Sequence, residues 1–260
     1  MKIGIRDGCL QEPWSSVFEV GARLGYDGIE LDLGASYEET MMWRLEGRKG
    51  LREIINESGL ELASLCLGVC WTYSPANESA GTRDRIRRVI TASCAYAAEL
   101  GAKWILVPVT PGGEDVDHET GTARWIEMMQ SVAPVAADLG VVLCLENVGR
   151  GYGKSAAELA HMVDTVNSPG LGVYYDIGNA MAFGNDPVEE IKFLGSRIGE
   201  VHIKDRDADL LGQGTVPIAD CLQALREIGY DGWLVLETPP TEDPLAAGKH
   251  NLEYLRGLVG

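Results

Sequence analysis

The sequence predicts an α/β fold, a single (β/α)8 barrel, and three observations lead to this class. Eight short runs rich in β-branched and apolar residues recur along the 260-residue chain, separated by segments with helical spacing. The strand runs are apolar on both faces, as expected for parallel strands covered by helices. The strand count and the length favour a closed barrel over an open sheet. The predicted strands cover residues 2–6, 28–33, 60–69, 103–109, 141–148, 171–177, 198–204 and 232–238.

The helices are clearest in two segments between these strands. Residues 82–100 carry apolar side chains at positions 86, 89, 90, 94 and 97, and residues 218–229 repeat this spacing. Several helices are expected to end at a Leu-Gly or Ile-Gly pair just before the next strand. Glycine there supplies the left-handed conformation that turns the chain back toward the sheet. The predicted cap residues are Gly25, Gly101, Gly140 and Gly229.

Composition and charge restrict the class of partner. Hydrophobic residues make up 45% of the chain, which is enough for a large core, and no linker or low-complexity run divides it. We therefore expect one domain over residues 1–260. Lys and Arg number 22 against 39 Asp and Glu, a formal charge of −17. Such a surface repels nucleic acid and anionic membranes, so a small molecule is the expected partner.

The cysteines and the first residues bear on the cellular compartment. Six cysteines, none in a CxxC pair, are expected to be reduced and mostly buried thiols. The start, MKIGIRDG, lacks the apolar core of a signal peptide, and no window approaches the ~18 apolar residues of a membrane span. We expect a cytoplasmic protein.

Polar side chains stand at the ends of four consecutive late strands. They are Glu146, Asp176, His202 and Glu237, and each follows residues that should be buried. Strand ends converge on one mouth of a barrel, where unpaired carboxylates would repel one another and cost several kcal/mol each. Each residue alone also fits a structural role: an ion pair, a turn cap, a core histidine or a backbone contact. Together they predict a shared divalent metal ion.

The ligand set indicates which ions suit the site. Three carboxylates and one imidazole favour Mn²⁺ or Mg²⁺, and Co²⁺ or Zn²⁺ is also compatible. The other histidines, at positions 118, 161 and 250, fall in or near predicted helices and are expected at the surface.

These four residues resemble the metal site of the xylose-isomerase-like TIM barrels, and the resemblance extends from KIGIR through GIEL, SLCLG, LENVG and VHIKDR to the final strand. The stretch YYDIGNAMAFGNDPVEEI followed by RIGEVHIKDR is most similar to the pentulose-5-phosphate 3-epimerase branch of sugar-phosphate isomerases and epimerases. Two positions depart from the epimerases of free ketoses, which carry a histidine where Asn179 stands and a glutamate where Val148 stands. Both departures argue against a free ketose as substrate.

The resemblance implies a mechanism. Glu146 and Glu237 would bind the metal, face the substrate from opposite sides and act as acid and base through a cis-enediolate. Epimerisation, isomerisation and dehydration all fit this arrangement, so a hydroxypyruvate isomerase or an inosose dehydratase is the alternative within enzymes. A sugar-binding barrel without turnover is the alternative outside them. Oligomeric state stays open, although homo-oligomers are common in this superfamily.

Further residues are candidates for contacts with a sugar or sugar phosphate. Lys204 and Arg206 could hold a substrate oxygen or phosphate, or could pair with nearby acids such as Asp205 and Asp207. Gly212 and Gly214 could offer backbone N–H groups to a phosphate, or could simply belong to a flexible loop. Trp71 could form an apolar wall against the sugar or pack against a helix, and Asn179 could hydrogen-bond a substrate hydroxyl or cap the turn. Arg6 and Glu30 could form a buried ion pair or contact the substrate.

Overall fold

Eight parallel strands pair in sequence order and close into a barrel in the computed structural model, which describes residues 1–260. The prediction of a (β/α)8 barrel is therefore confirmed. The strands are β1 (Lys2–Arg6), β2 (Gly28–Asp32), β3 (Glu61–Cys66), β4 (Trp104–Pro108), β5 (Val142–Glu146), β6 (Leu171–Asp176), β7 (Ile198–Ile203) and β8 (Trp233–Leu236).

Ten α-helices surround the barrel or lie over its mouth. The two helices predicted most clearly from spacing are present, each within two residues of the predicted start and end. The helices are α1 (Asp7–Leu10), α2 (Val17–Leu24), α3 (Leu45–Ser58), α4 (Ala80–Leu100), α5 (His118–Asp138), α6 (Ala156–Val166), α7 (Ile177–Ala182), α8 (Pro187–Leu194), α9 (Ile218–Glu227) and α10 (Pro244–Val259).

The predicted glycine caps are present. Gly25 and Gly101 cap α2 and α4 in the left-handed region, with φ of 98° and 87°. Gly140 and Gly229 follow α5 and α9 with φ of 73° and 77°. A side chain with a Cβ is strained in this region, so these four positions explain why helices stop where the next strand must begin.

The apolar residues form two cores. A cluster of 67 buried residues, including Ile29 and Leu31, fills the space between strands and helices. A second cluster of seven lies inside the barrel and includes Ala63, Cys144 and Trp233. Side chains alternate along each strand, so the two clusters are the two faces of one sheet.

Two register shifts add polar residues to the barrel interior. Between β2 and β3, Ile29 pairs with Leu62 but Glu30 pairs with Ser64, so β3 carries one extra residue. Between β6 and β7, Tyr174 pairs with Glu200 and the register again shifts. A bulge of this kind lets consecutive residues face the same side of a sheet. It brings Ser64 and Glu200 into the interior together with Glu30.

The cysteines behave as expected, since all six are free and buried. No helix in the structure combines the length and the apolar composition that crossing a membrane requires.

Candidate metal centre

The four predicted ligands meet at the carboxyl end of the barrel. One ligand atom from each of Glu146, Asp176, His202 and Glu237 lies within 4.8 Å of the other three. Glu146 and Asp176 are the last residues of β5 and β6, His202 is the penultimate residue of β7, and Glu237 directly follows β8. Asp176 and His202 are partners in the strand register, so the pairing of the sheet itself brings these two side chains together.

The imidazole of His202 is fully buried and contacts carboxylates through both nitrogens. Its Nδ1 lies 3.1 Å from Glu146 Oε1, 3.5 Å from Glu237 Oε2 and 3.9 Å from Asp176 Oδ2. Its Nε2 lies 3.0 Å from Glu30 Oε1, on the other side of the ring. Nδ1 therefore faces the cluster and Nε2 faces away from it.

Asp176 serves two roles with its two oxygens. Oδ1 accepts a hydrogen bond of 2.8 Å from the backbone N–H of Asn179 and so caps α7. Oδ2 faces the cluster and is buried without a hydrogen-bond donor. Asn147, a residue that the sequence did not single out, holds the strand end in place. Its amide donates to the backbone oxygen of Asp176 and accepts from its N–H, at 2.9 Å and 2.8 Å.

Two cations lie against the carboxylates. The Nζ atom of Lys204 is 2.6 Å from Asp176 Oδ2, at angles unsuited to a hydrogen bond, and donates to Glu237 Oε2 at 2.7 Å. Arg6 donates to Glu237 Oε1 and, at 2.8 Å, to Asp32 Oδ2. The expected ion pair between Arg6 and Glu30 is wrong. The two residues are register partners on β1 and β2, but Arg6 points to the mouth and Glu30 points across the barrel to His202.

The two glutamates differ in proton affinity. Burial raises the pKa of Glu146 to about 7. Burial alone would also raise the pKa of Glu237, but the charges of His202, Lys204 and Arg6 outweigh it and lower that pKa. Titratable groups whose environments separate their pKa values are typical of acid and base pairs.

The arrangement can hold a divalent cation. Glu146 and Asp176 are buried and Glu237 is half-buried, and with Glu30 beneath them these four carboxylates outnumber the three basic side chains Lys204, Arg6 and His202. Asp176 Oδ2 is buried and accepts no hydrogen bond, and the cation beside it is Lys204 Nζ at 2.6 Å, so this oxygen can accept a metal ion as a ligand. Oxygen ligands with one imidazole are those that Mn²⁺, Mg²⁺, Co²⁺ and Zn²⁺ accept. The residues present therefore fit a metal ion.

A cavity of about 310 Å³ opens above the cluster. Both candidate catalytic residues, Glu146 and Glu237, line it. So do three of the four predicted substrate-binding residues, the half-buried Asn179, Lys204 and the exposed Trp71. Its wall also includes Val148, one of the two departures, and Arg150, a cation that sequence reasoning missed because it lies in a loop without any periodic pattern.

Arg206 is not part of this cavity. It lines a neighbouring cavity of about 450 Å³ that shares Asn179 and Lys204 with the first. Its guanidinium donates to the backbone oxygen of Met181 at 2.6 Å and lies 3.8 Å from Asp207. Arg206 could contact either the substrate or a nearby acid, and the structure shows a contact with the nearby Asp207.

The loop after β7 is held by the carboxylate of Asp205. This carboxylate accepts hydrogen bonds from the backbone N–H groups of Arg206, Gly212, Gly214 and Val216, at 2.8 to 3.1 Å. The two glycine N–H groups that could have met a phosphate are therefore occupied within the protein. Of the two alternatives for Gly212 and Gly214, the structure does not support the phosphate site, because both N–H groups donate to Asp205.

The structure combines a closed parallel barrel with a cluster of acidic residues and one histidine at the carboxyl ends of its last four strands. These two features define a class of protein, the (β/α)8 barrels with a candidate divalent-metal site. The profile of one family of this class, the xylose isomerase-like TIM barrel, matches residues 18–258. The chain belongs to this family, and the resemblance noted from the motifs is confirmed.

Individual relatives agree with this assignment. The L-ribulose-5-phosphate 3-epimerase UlaE of Escherichia coli is 24% identical over 259 residues, covering 94% of this chain and 90% of that protein. The structure of an L-ribulose 3-epimerase superposes with a TM-score of 0.87 at 19% identity, covering 99% and 94% of the two chains. The 3-keto-D-glucoside 4-epimerase YcjR of E. coli gives 0.87 at 21% identity, covering 99% of each. At these identities the structural likeness establishes the fold.

Proposed function

We propose that this protein is a divalent-metal-dependent isomerase or epimerase of a keto-sugar or keto-sugar phosphate, acting as one catalytic domain over residues 1–260. The observation that carries the proposal is the placement of Glu146 and Glu237. Both reach the same cluster and both line the same cavity, from β5 and from the end of β8. The names of the sequence relatives and structural neighbours, which are sugar epimerases, support the reaction class.

The proposed chemistry needs two groups that exchange protons with carbon. In our proposal one glutamate removes the proton next to the substrate carbonyl, which gives a cis-enediolate, and the other returns a proton to the opposite face. Return to the same carbon inverts it, whereas delivery to the neighbouring carbon isomerises the sugar. In the absence of a metal ion, burial raises the pKa of Glu146 whereas nearby positive charges lower the pKa of Glu237, so the two carboxylates differ in proton affinity.

The metal site supports the same step. Glu146, Asp176, His202 and Glu237 would hold the ion, with Mn²⁺ or Mg²⁺ as the favoured occupants. When bound, the ion would supply Lewis-acid polarisation of the substrate carbonyl. Lys204 and Asn179 line the cavity beside these ligands and would orient substrate oxygens, while Trp71 would cover an apolar face of the sugar.

The cavity supports a small substrate. Its volume of about 310 Å³ lies at the lower end of the range for small-molecule sites. Arg150 at its wall is exposed and would be available to a negatively charged substituent such as a phosphate. Asn179 and Val148, which replace the histidine and glutamate of free-ketose epimerases, both line this cavity, so both departures fall where the substrate would bind.

The test is isotope exchange. Purified protein is incubated in D₂O with ketopentoses, their 5-phosphates, hydroxypyruvate and an inosose, and each product is followed by proton NMR. We expect deuterium at the carbon next to the carbonyl of at least one ketopentose or its phosphate, loss of exchange with a chelator, and recovery with Mn²⁺ or Mg²⁺. Exchange confined to hydroxypyruvate, or loss of water from the inosose, would favour the alternative enzymes. Binding of a sugar with no exchange would instead favour a barrel without turnover.

A further inference from the structure

A second carboxylate holds the far side of the candidate metal-binding histidine. Glu30 Oε1 lies 3.0 Å from His202 Nε2, and both side chains are fully buried. Nδ1 of the same ring faces Glu146, Asp176 and Glu237. Glu30 does not line the cavity above the cluster, so it would not touch a substrate there.

Glu30 is itself fixed by two hydroxyl groups. Ser64 donates to Glu30 Oε2 at 2.6 Å and Tyr174 donates to the same oxygen at 2.9 Å. The second oxygen, Oε1, is thereby left to His202. The Tyr174 ring also lies against the imidazole, with ring centroids 4.5 Å apart. The orientation of the histidine ring is therefore determined by Glu30 and by the residues around it.

We infer that Glu30 is a positioning residue for the metal centre: its carboxylate accepts the Nε2–H of His202 and so keeps the Nδ1 lone pair directed at the cluster. This inference rests on the proposed function, because it assumes that His202 is a metal ligand. A neutral imidazole has one N–H and one free lone pair, so fixing the proton on one nitrogen commits the other to the metal. A carboxylate partner also makes the ligating nitrogen more basic.

The placement of the charge supports this role. A buried carboxylate beneath an already acidic cluster adds repulsion and desolvation cost, and no Lys or Arg forms an ion pair with Glu30. Its hydrogen bonds go to His202, Ser64 and Tyr174. The contact that uses the negative charge of Glu30 is the one with the histidine.

The test compares metal affinity in two matched variants by titration calorimetry with Mn²⁺. Glu30→Gln removes the charge at nearly constant shape, and we expect Mn²⁺ to bind about 10- to 100-fold more weakly. Glu200→Gln is the control, since Glu200 is an equally buried interior carboxylate without a hydrogen bond to His202. We expect this control to bind Mn²⁺ like the wild type. Equal losses in both variants would overturn the inference.

A spectroscopic readout separates positioning from a general loss of structure. In Mg²⁺-loaded protein with ¹⁵N-labelled histidine, His202 should show a proton on Nε2, and its resonance should shift in Glu30→Gln but not in Glu200→Gln. An unchanged Nε2–H signal together with unchanged Mn²⁺ affinity in Glu30→Gln would refute the role of Glu30.

Two outcomes keep the inference distinct from the proposed function. If the wild type binds no divalent ion, the metal site and the inference both fail. If the wild type binds Mn²⁺ and Glu30→Gln binds it equally well, the inference alone fails. Should Glu30→Gln not fold, Ser64→Ala removes one of the two hydrogen bonds that orient Glu30, and a smaller loss of affinity in the same direction is expected. Wild-type affinity in Ser64→Ala would then count against the inference.

Discussion

The two ends of the barrel interior are built from the same strands and differ completely in chemistry. At the amino ends lies an apolar floor of Ala63, Trp104, Val142, Cys144 and Trp233, of which Trp104 and Val142 are half-buried. At the carboxyl ends, carboxylates, a histidine and two cations crowd together. The floor lowers the free energy of the folded state through apolar burial, whereas the mouth keeps charges buried at a cost. The comparison indicates that apolar packing and the candidate metal site are separated along the barrel axis.

The largest expected effect concerns the mouth. Glu146→Gln should lower the rate of deuterium exchange into substrate by about 10²- to 10⁴-fold, because a group that transfers the proton is lost. Glu237→Gln should act similarly. Melting temperatures should stay close to that of the wild type, and Glu200→Gln serves as the control for replacing a buried carboxyl. Retained exchange in Glu146→Gln would contradict its acid or base role. It would also contradict the assignment of catalysis to the carboxyl end of the barrel.

The next effect concerns the floor. Trp233→Ala should lower the free energy of unfolding by about 3–5 kcal/mol, since it leaves a cavity under the barrel. Urea denaturation measures this loss. At temperatures where the variant is folded, its Mn²⁺ affinity should match that of the wild type. A large loss of metal affinity would show that the two ends are coupled.

The smallest effect concerns a mouth carboxylate outside the cluster. Burial raises the pKa of Asp7 from 3.8 to about 6, although it accepts hydrogen bonds from Trp14 and the backbone. Because the folded state then holds the proton more tightly, the contribution of Asp7 to the free energy of unfolding falls by at most about 3 kcal/mol as the pH rises from 4 to 6.

Asp7→Asn should remove this slope from the stability of the variant, so that the difference between wild-type and variant stability changes with pH between about 4 and 6. Urea denaturation at several pH values measures both profiles. The exposed Asp115→Asn is the matched control and should leave the slope unchanged. Identical pH profiles for the wild type and Asp7→Asn would exclude a buried, proton-binding Asp7. Asp7→Asn should leave the Mn²⁺ affinity unchanged. This result would distinguish Asp7, a buried acid at the mouth outside the cluster, from the four proposed metal ligands.

The sequence was a good guide to the residues that follow from strand position. Glu146, Asp176, His202 and Glu237 were found because each ends an apolar strand, and the parallel pairing of β5 to β8 brings such ends together. The fold class followed from the same periodicity. What the site residues do in catalysis stays a prediction, since geometry alone does not test it.

The partners of these residues could not be predicted. Arg6 and Glu30 were paired in the prediction because they stand side by side on adjacent strands, yet their side chains point to different depths of the barrel. Ser64 reaches Glu30 through a register shift that leaves no signal in the alternation of β3. Asn147 looks like an ordinary strand-end residue until its two hydrogen bonds to Asp176 are seen.

The loop anchored by Asp205 has a consequence for how such barrels diversify. Four of its backbone N–H groups donate to Asp205 at its own beginning, and that of Leu211 donates to Asn251 of α10. The segment can therefore exchange residues at its outer surface, around Arg206 and Asp207, while its internal shape persists. In such a protein, single substitutions on this loop can alter which ligands bind, while the backbone conformation of the loop is retained.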